Sequence, residues 1–329
     1  MQTEQHYTTT EGTPLVSFIV PVFNVPANML CECIESILTL ALQPEEREII
    51  VIDDGSDKPC IDDINKYVEQ VTYIRQKNSG LSAARNTGIR CASGTYLQFV
   101  DADDMLITSA YNHCLDIAKR ESPDMVMFDF TNTPIPSQTF HDTVIADGTT
   151  FMRHHNLRAS AWGYLFKRNM LGQLRFTPGL YHEDEEFTPL LLLRTGNMIL
   201  SDAKAYMYRR RKDSITTSTD EASQAKRLSD VRQVIGRLYN ISDTLPPDEQ
   251  LALDRRVAQL TMDFIYKVIV EQRSQEELEQ QISELRLMGL FPLPKHNYTQ
   301  KYQWFRRMTS TKMGRRLLLQ VIPLMKRER

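Results

Sequence analysis

Two hydrophobic periods alternate along the first half of the chain. LVSFIVPVF, residues 15–23, is a continuous apolar run and predicts a strand covered on both faces. Met29, Leu30, Cys33, Ile34, Ile37, Leu38 and Ala41 then recur at the spacing of a helix. REIIVIDDGS (47–56) predicts a second buried strand stopped by a turn, INKYVEQ (64–70) a short helix, and VTYIRQ (71–76) a third strand. LSAARNTGIRCA (81–92) reads as a helix entered through Asn78-Ser79-Gly80 and closed near Gly94. TYLQFV (95–100) is a fourth strand, delivering the acids of DADD. TSAYNHCLDIAKRE (108–121) is helical with Thr108 or Ser109 as N-cap, and DMVMFDF (124–130) is a fifth strand.

Strands alternating with helices imply an α/β protein with a mostly parallel, doubly wound sheet. In such sheets ligands bind beyond the carboxyl ends of the strands, where both IDDGS and VDADD lie. From about residue 131 the pattern loosens. TNTPIPSQTFHDTVIADGTT (131–150) reads as loop with short strand pieces, and ASAWGYLFKRNML (159–171) as mixed structure. LYHEDEEFTPLLLLRTG (180–196) is acidic and then apolar, and KAYMYRRRKDSITTS (204–218) is a strand entering a basic turn. After residue 220 the chain reads as helices, broken at Leu245-Pro246-Pro247 and at Phe291 to Pro294.

Composition changes this picture little: 41% hydrophobic and 25% charged residues are those of an ordinary globular protein. Five Cys without repeating spacing argue against a disulfide framework and for a reducing compartment, with Cys31 and Cys33 read as core thiols. MQTEQHYTTTEGTP lacks the regions of a signal peptide, and no apolar run approaches the roughly 20 residues that span a bilayer. The expectation is a cytoplasmic protein. Charge is more informative. Residues 295–329 hold ten Lys or Arg and one Glu, so the net charge of -3 divides into +9 for this tail and -12 for the rest. LLLQVIPLM (317–325), flanked by Arg315, Arg316, Lys326, Arg327 and Arg329, has two readings. It is an interfacial segment on the inner face of an anionic membrane, or a helix packed on the body with a basic solvent face. A nucleic-acid partner is disfavoured by the acidic body.

Three carboxylates, Asp101, Asp103 and Asp104, fall within four positions at a strand end. They make either a solvated acidic turn or a site for a hard divalent cation, Mg2+ or Mn2+. Asp53 and Asp54 similarly read as turn residues or as acceptors for a nucleobase or ribose. Among folds with strand-end acids, haloacid dehalogenase-type phosphatases place theirs after the first strand, and response-regulator receivers are about half this length. A nucleotide-sugar transferase, whose metal holds a diphosphate leaving group, accommodates the remaining features. Glu183, Asp184, Glu185 and Glu186 could simply suit a helix N-terminus, with Thr188-Pro189 an alternative helix start. His154, His155 and His182 have no partner visible in sequence and default to the surface.

FIVPVFN, EIIVIDDGS, NSGLSAARNTGI, GTYLQFVDADDM and YHEDEEF, in that order, resemble the family 2 inverting glycosyltransferases with the GT-A fold, over residues 15–215. The resemblance implies a polar N-terminal tail (1–14) and a catalytic domain at 15–219, with a nucleotide-binding half (15–130) and an acceptor half (131–219). A helical C-terminal extension (220–329) follows. It implies that Pro21, Phe23 and Asn24, with Asp54 and Asp53, contact a uracil-type base and its ribose. Gly80 and Arg85 would line the nucleotide side, although Arg85 is equally an ordinary helix-surface charge. Asp103 would bind the metal, with Asp101 reaching the ribose or a metal-bound water. Asp184 matches the catalytic base, with Glu183 the alternative. Trp162 and His182 would face the acceptor. Gly163, however, stands where members often carry Asn after that Trp, which leaves a core Trp as the second reading. Arg209, Arg210 and Arg211 approach the diphosphate or form a solvated strand end.

The implied activity is metal-dependent, inverting transfer from a nucleotide-diphosphate sugar, UDP-linked, to a hydroxyl of a saccharide or lipid-linked saccharide in surface polysaccharide synthesis. The alternatives are a sugar-nucleotide pyrophosphorylase-like enzyme, for which FNVPANML lacks the Gly-rich basic loop, and a non-catalytic nucleotide-binding member of the family.

Overall fold

The computed structural model describes residues 12–133, 138–209 and 220–327. They resolve into two compact units, one of residues 1–148 and 159–217, the other of residues 149–158 and 218–329. Residues 149–158, which the sequence pattern places in the acceptor half, group with the C-terminal helices.

In the first unit the chain runs β1 (Val16–Val22), α1 (Ala27–Leu38), β2 (Arg47–Asp53), β3 (Thr72–Arg75), α2 (Leu81–Cys91), β4 (Tyr96–Phe99), β5 (Met105–Leu106), α3 (Thr108–Glu121), β6 (Met125–Thr131) and β7 (Asp142–Ile145). It continues, after α4 (Gly148–His154), whose residues 149–154 belong to the second unit, through β8 (Tyr164–Lys167), α5 (Asp184–Leu192) and β9 (Met198–Met207). One sheet has the order β3-β2-β1-β4-β8-β6-β9-β5, with β7 also on β9. Every residue of β1 is buried, as an apolar run without alternation requires. α1 buries Leu30, Cys33, Ile34 and Ile37 along one stripe. Cys33 is a core thiol, whereas Cys31 is only half-buried.

The doubly wound pattern holds for β1 to β4, which pair in parallel. Beyond β4 the sheet is mixed, because β8 enters antiparallel between β4 and β6, while β9 is parallel to β6 and antiparallel to β5 and β7. Weak patterning after residue 131 hid this half. The short helix expected at 64–70 is a single 3-10 turn, Asn65–Tyr67. α3 begins at Thr108 with Ile107 as N-cap and no capping side chain. Thr108 Oγ1 pairs with Thr39 Oγ1 at 3.1 Å instead. Pro189 lies inside α5 rather than at its start.

The second unit contains α6 (Glu221–Ser242), α7 (Pro247–Glu271), α8 (Gln275–Leu287), α9 (Gln300–Thr309) and α10 (Lys312–Arg327). Local chemistry sets the ends. Asp220, Ser274 and Thr299 cap α6, α8 and α9 through backbone N–H groups three residues on, and Pro247 opens α7. Arg255 and Arg256 of α7 donate to the carbonyls of Arg153 and Leu157, tying 153–157 into this unit. α10 packs on α9 and α7. Arg315 is 1% exposed and grips both Glu279 oxygens (2.8 and 2.7 Å) and the Thr309 carbonyl (2.6 Å). The packed-helix reading of the tail therefore describes Arg315, Leu318 and Ile322, which all face inward.

Candidate active site

The chain leaves β1 for β2 and β3 on one side and returns to β4 on the other, so the sheet order reverses between β1 and β4. A crevice at the carboxyl ends of strands forms at such a reversal. The ends of β1, β2 and β4 carry FN, DDGS and VDADD there.

At the end of β1, Pro21 is buried and Phe23 is 43% exposed. Asn24 sits at φ 50°, a conformation Asn tolerates. Its side chain exchanges hydrogen bonds with Asp57 (Nδ2 to Oδ2 3.1 Å; Asp57 N–H to Oδ1 2.9 Å), pinning the two turns together. Asp53 is fully buried and accepts from Ser56 N–H (2.8 Å) and Tyr73 OH (2.7 Å). Burial opposes its charge, but these hydrogen bonds outweigh it and hold the carboxyl below its ordinary value. Asp54 accepts from Gln76 Nε2 (2.6 Å), Ser79 N–H (3.0 Å) and Gly80 N–H (2.7 Å). Both acids thus spend their oxygens shaping the loops. Gly55 is required here: at φ 75°, a Cβ would also lie 2.6 Å from the Asn78 nitrogen.

Arg85 is not a surface charge. It is 3% exposed, its guanidinium lying 5.3 Å from the Phe176 ring centroid and 5.9 Å from that of Phe99. Nη2 donates to Asp101 Oδ1 at 3.0 Å, and Nη1 donates to Glu183 Oε1. One buried cation therefore joins the acid motif after β4 to the acid motif that opens α5, residues 98 positions apart in the second case. Burial disfavours its charge, but Asp101, Glu183 and Asp184 together drive its pKa up. Asn86 beside it bonds both the N–H and the carbonyl of Phe176 (2.9 and 2.8 Å), which holds the aromatic wall in place.

The three acids of VDADD have different surroundings. Asp104 is 1% exposed and accepts from Tyr206 OH (2.8 Å) and Arg209 N–H (2.7 Å). Burial, then the Asp101 charge, push its carboxyl up to about 8 against these hydrogen bonds. Asp101 and Asp103 are only half-buried. Arg209 is no solvated strand end. Its guanidinium donates to the carbonyls of Asp103, Asp104 (3.4 Å) and Met29 (3.1 Å) and to Glu32, clamping the acidic turn from behind. Arg210 and Arg211 lie outside the described residues.

His182 is half-buried, not a surface residue, and its φ of 60° turns the chain into α5. His154 and His155 are exposed. The turn at His182 sends Glu183 inward, where its carboxylate pairs with Arg85. Asp184, in the first turn of α5, is half-buried, and its charge acts on both Arg85 and Tyr164. Trp162 is half-buried and stacks on Tyr206 at 4.3 Å, with Phe130 edge-on at 5.4 Å. A Cβ on Gly163 would stand 3.1 Å from Ser160 Oγ, so a larger residue there meets a tight fit.

Sequence reasoning missed Tyr206, Asn86 and Phe176. A polar Asn on the buried side of a helix was a visible signal for Asn86. The other two carry none.

Among the described residues, no three His, Cys, Asp or Glu side chains converge into a preformed metal cage. The donor set fits a narrower role. Asp104 is committed inward, while Asp101 shows no hydrogen bond to Oδ2 among the described residues, and Asp103 stands beside it at the strand end. Two hard carboxylates fit a Mg2+- or Mn2+-like ion, which favours oxygen ligands.

An open α/β sheet with acids grouped at its switch point and a second acid motif brought to them defines a GT-A-type fold. Residues 17–170 match the family model for glycosyl transferase family 2. The glycosyltransferase GlyA of Streptococcus pneumoniae is 30% identical over 267 residues, 75% of this chain but only 38% of GlyA. The uncharacterized glycosyltransferase EpsJ of Bacillus subtilis is 30% identical over 244 residues, 69% of this chain and 70% of EpsJ. S. aureus TarS 1–349 in complex with UDP-GlcNAc shares the fold at a TM-score of 0.59 and 17% identity, over 93% of this chain and 90% of that one. The chain belongs to glycosyl transferase family 2.

Proposed function

We propose that the protein is a metal-dependent inverting glycosyltransferase that moves a sugar from a UDP-linked donor to a hydroxyl of a saccharide or lipid-linked saccharide. The observation that carries this reading is the Arg85 bridge, because it brings the VDADD acids and the Glu183-Asp184 pair to one crevice. Donor and acceptor chemistry then have separate acids. TarS, with the same fold, is complexed with UDP-GlcNAc, which supports a nucleotide-sugar donor here.

Asp103 and Asp101 would hold the divalent ion, which would stabilise charge developing on the departing diphosphate. The loops fixed by Asp53 and Asp54, with Phe23 exposed at their edge, receive the base and ribose. Asp184 accepts the proton of the acceptor hydroxyl as that oxygen attacks the anomeric carbon from the face opposite the leaving group. Glu183, held in the ion pair with Arg85, positions the start of α5 beside the acids in this reading. Trp162 and His182 line the acceptor side. Surface polysaccharide synthesis is the setting proposed for such an acceptor.

A donor screen tests the reading: purified protein with UDP- and GDP-sugars and Mn2+, scoring nucleotide release and then the anomeric configuration of the product. UDP release with an inverted anomer is expected. GDP release, or a retained anomer, would replace the donor or the mechanism respectively.

A further inference from the structure

Helices α9 and α10, joined by Ser310 and Thr311, turn apolar and basic side chains outward together. On α9, Tyr302, Phe305 and Thr309 are buried, whereas Lys301, Trp304 and Arg307, at three-residue spacing, are exposed. On α10, Arg315, Leu318 and Ile322 are buried, whereas Lys312, Met313, Arg316 and Leu317 are exposed. Trp304 is 49% exposed, Met313 82% and Leu317 48%. Lys301 Nζ lies 5.8 Å from the ring centroid of Tyr266, itself 38% exposed, which extends the surface onto α7. Single exposed apolar residues are ordinary. A Trp, a Met and a Leu set among cations on consecutive helices are not.

We infer that this surface docks on an anionic membrane. Residues 295–327 contain nine Lys or Arg and no Asp or Glu. Interfacial helices combine an apolar face that enters the headgroup region with flanking cations that meet anionic lipid. Trp and Tyr favour that depth because one end of the ring system is apolar and the other polar. A second copy of the chain fits poorly. A two-fold interface would set the same cations against each other without acids to neutralise them. Among the described residues no helix is long and apolar enough to cross a membrane, so the docking is lateral. The inference stands independently of the donor and mechanism proposed above. It also relocates the contact: the inward Leu318, Ile322 and Arg315 are excluded, and Trp304 is added.

The test is co-sedimentation of the full-length protein with vesicles of equimolar phosphatidylglycerol and phosphatidylcholine, against phosphatidylcholine alone. Binding to the anionic vesicles at low ionic strength is expected, with release at about 1 M salt, where screening shortens to about 3 Å. Trp304 emission should shift to the blue on binding. Trp304→Phe assigns that shift, since Trp162 is the other Trp. The triple variant Trp304→Ser, Met313→Ser, Leu317→Ser and the double variant Lys312→Glu, Arg316→Glu should each weaken binding roughly tenfold or more. All five side chains are exposed, so unchanged circular dichroism is expected. Three outcomes overturn the inference: wild-type protein that ignores anionic vesicles at low salt, variants that sediment like wild type, and self-association abolished by the triple variant without vesicle binding.

Discussion

Arg85 shows what a single residue decides at this site. Its fork donates to Asp101 and to Glu183 at once, and Lys, a point charge, cannot hold both in one geometry. Arg85→Lys should therefore lower turnover about tenfold to a hundredfold through displaced acids. It should also lower the melting temperature, because one buried carboxylate loses its partner. Asp184→Asn should behave differently. Size and fold are kept, turnover falls about 100- to 10,000-fold with the base, and UDP binding survives. Steady-state kinetics beside calorimetry of UDP separate the two. Near-normal turnover in Asp184→Asn would remove it as the base, and lost UDP binding would move it to the donor side. The sequence already marked Asp101 and Asp103 by their strand-end position, and the family resemblance marked Asp184. It left Arg85 ambiguous, because helical spacing does not reveal which face the rest of the chain will cover.

At the scale of elements, α10 is held by chemistry as much as by its apolar stripe. Arg315 satisfies Glu279 of α8 and the exposed carbonyl of Thr309 at the end of α9. Arg315→Met keeps the volume but strands both partners, so a loss of about 1–3 kcal/mol is expected from urea unfolding at neutral pH. The pH dependence has a definite sign. Arg315 holds the Glu279 carboxyl below its ordinary value of 4.5. That stabilisation is present above the ordinary value and is lost as pH falls through the lowered one. The variant should lose this part of the acid sensitivity. Unchanged stability in Arg315→Met would mean that α10 is seated by Leu318 and Ile322 alone. Helix existence was legible here from apolar periodicity, and the amphipathic tail was too. Which cations faced inward was not, since Arg315 and Arg316 are adjacent and only packing distinguishes them.

Over the whole molecule, the acids at the switch point repel a diphosphate unless a cation intervenes. UDP affinity measured by calorimetry should accordingly fall at least tenfold in EDTA relative to Mn2+, and Asp103→Asn should reproduce that fall in the presence of metal. Equal affinity in both conditions would dismiss the metal from donor binding. The sequence alone determined the parallel β1–β4 half, because buried parallel strands must be continuous apolar runs and their acids must then emerge at the strand ends. It also determined the acid motifs and the helical C-terminal region. Only the tertiary structure decided the mixed second half of the sheet, where short strands such as β8 take their partners from distant segments. The inward use of Asp53, Asp54 and Asp104 and the Arg85 bridge were decided there as well. Each of these depends on contacts between residues far apart in the chain, and such contacts leave no periodicity in the sequence around either partner.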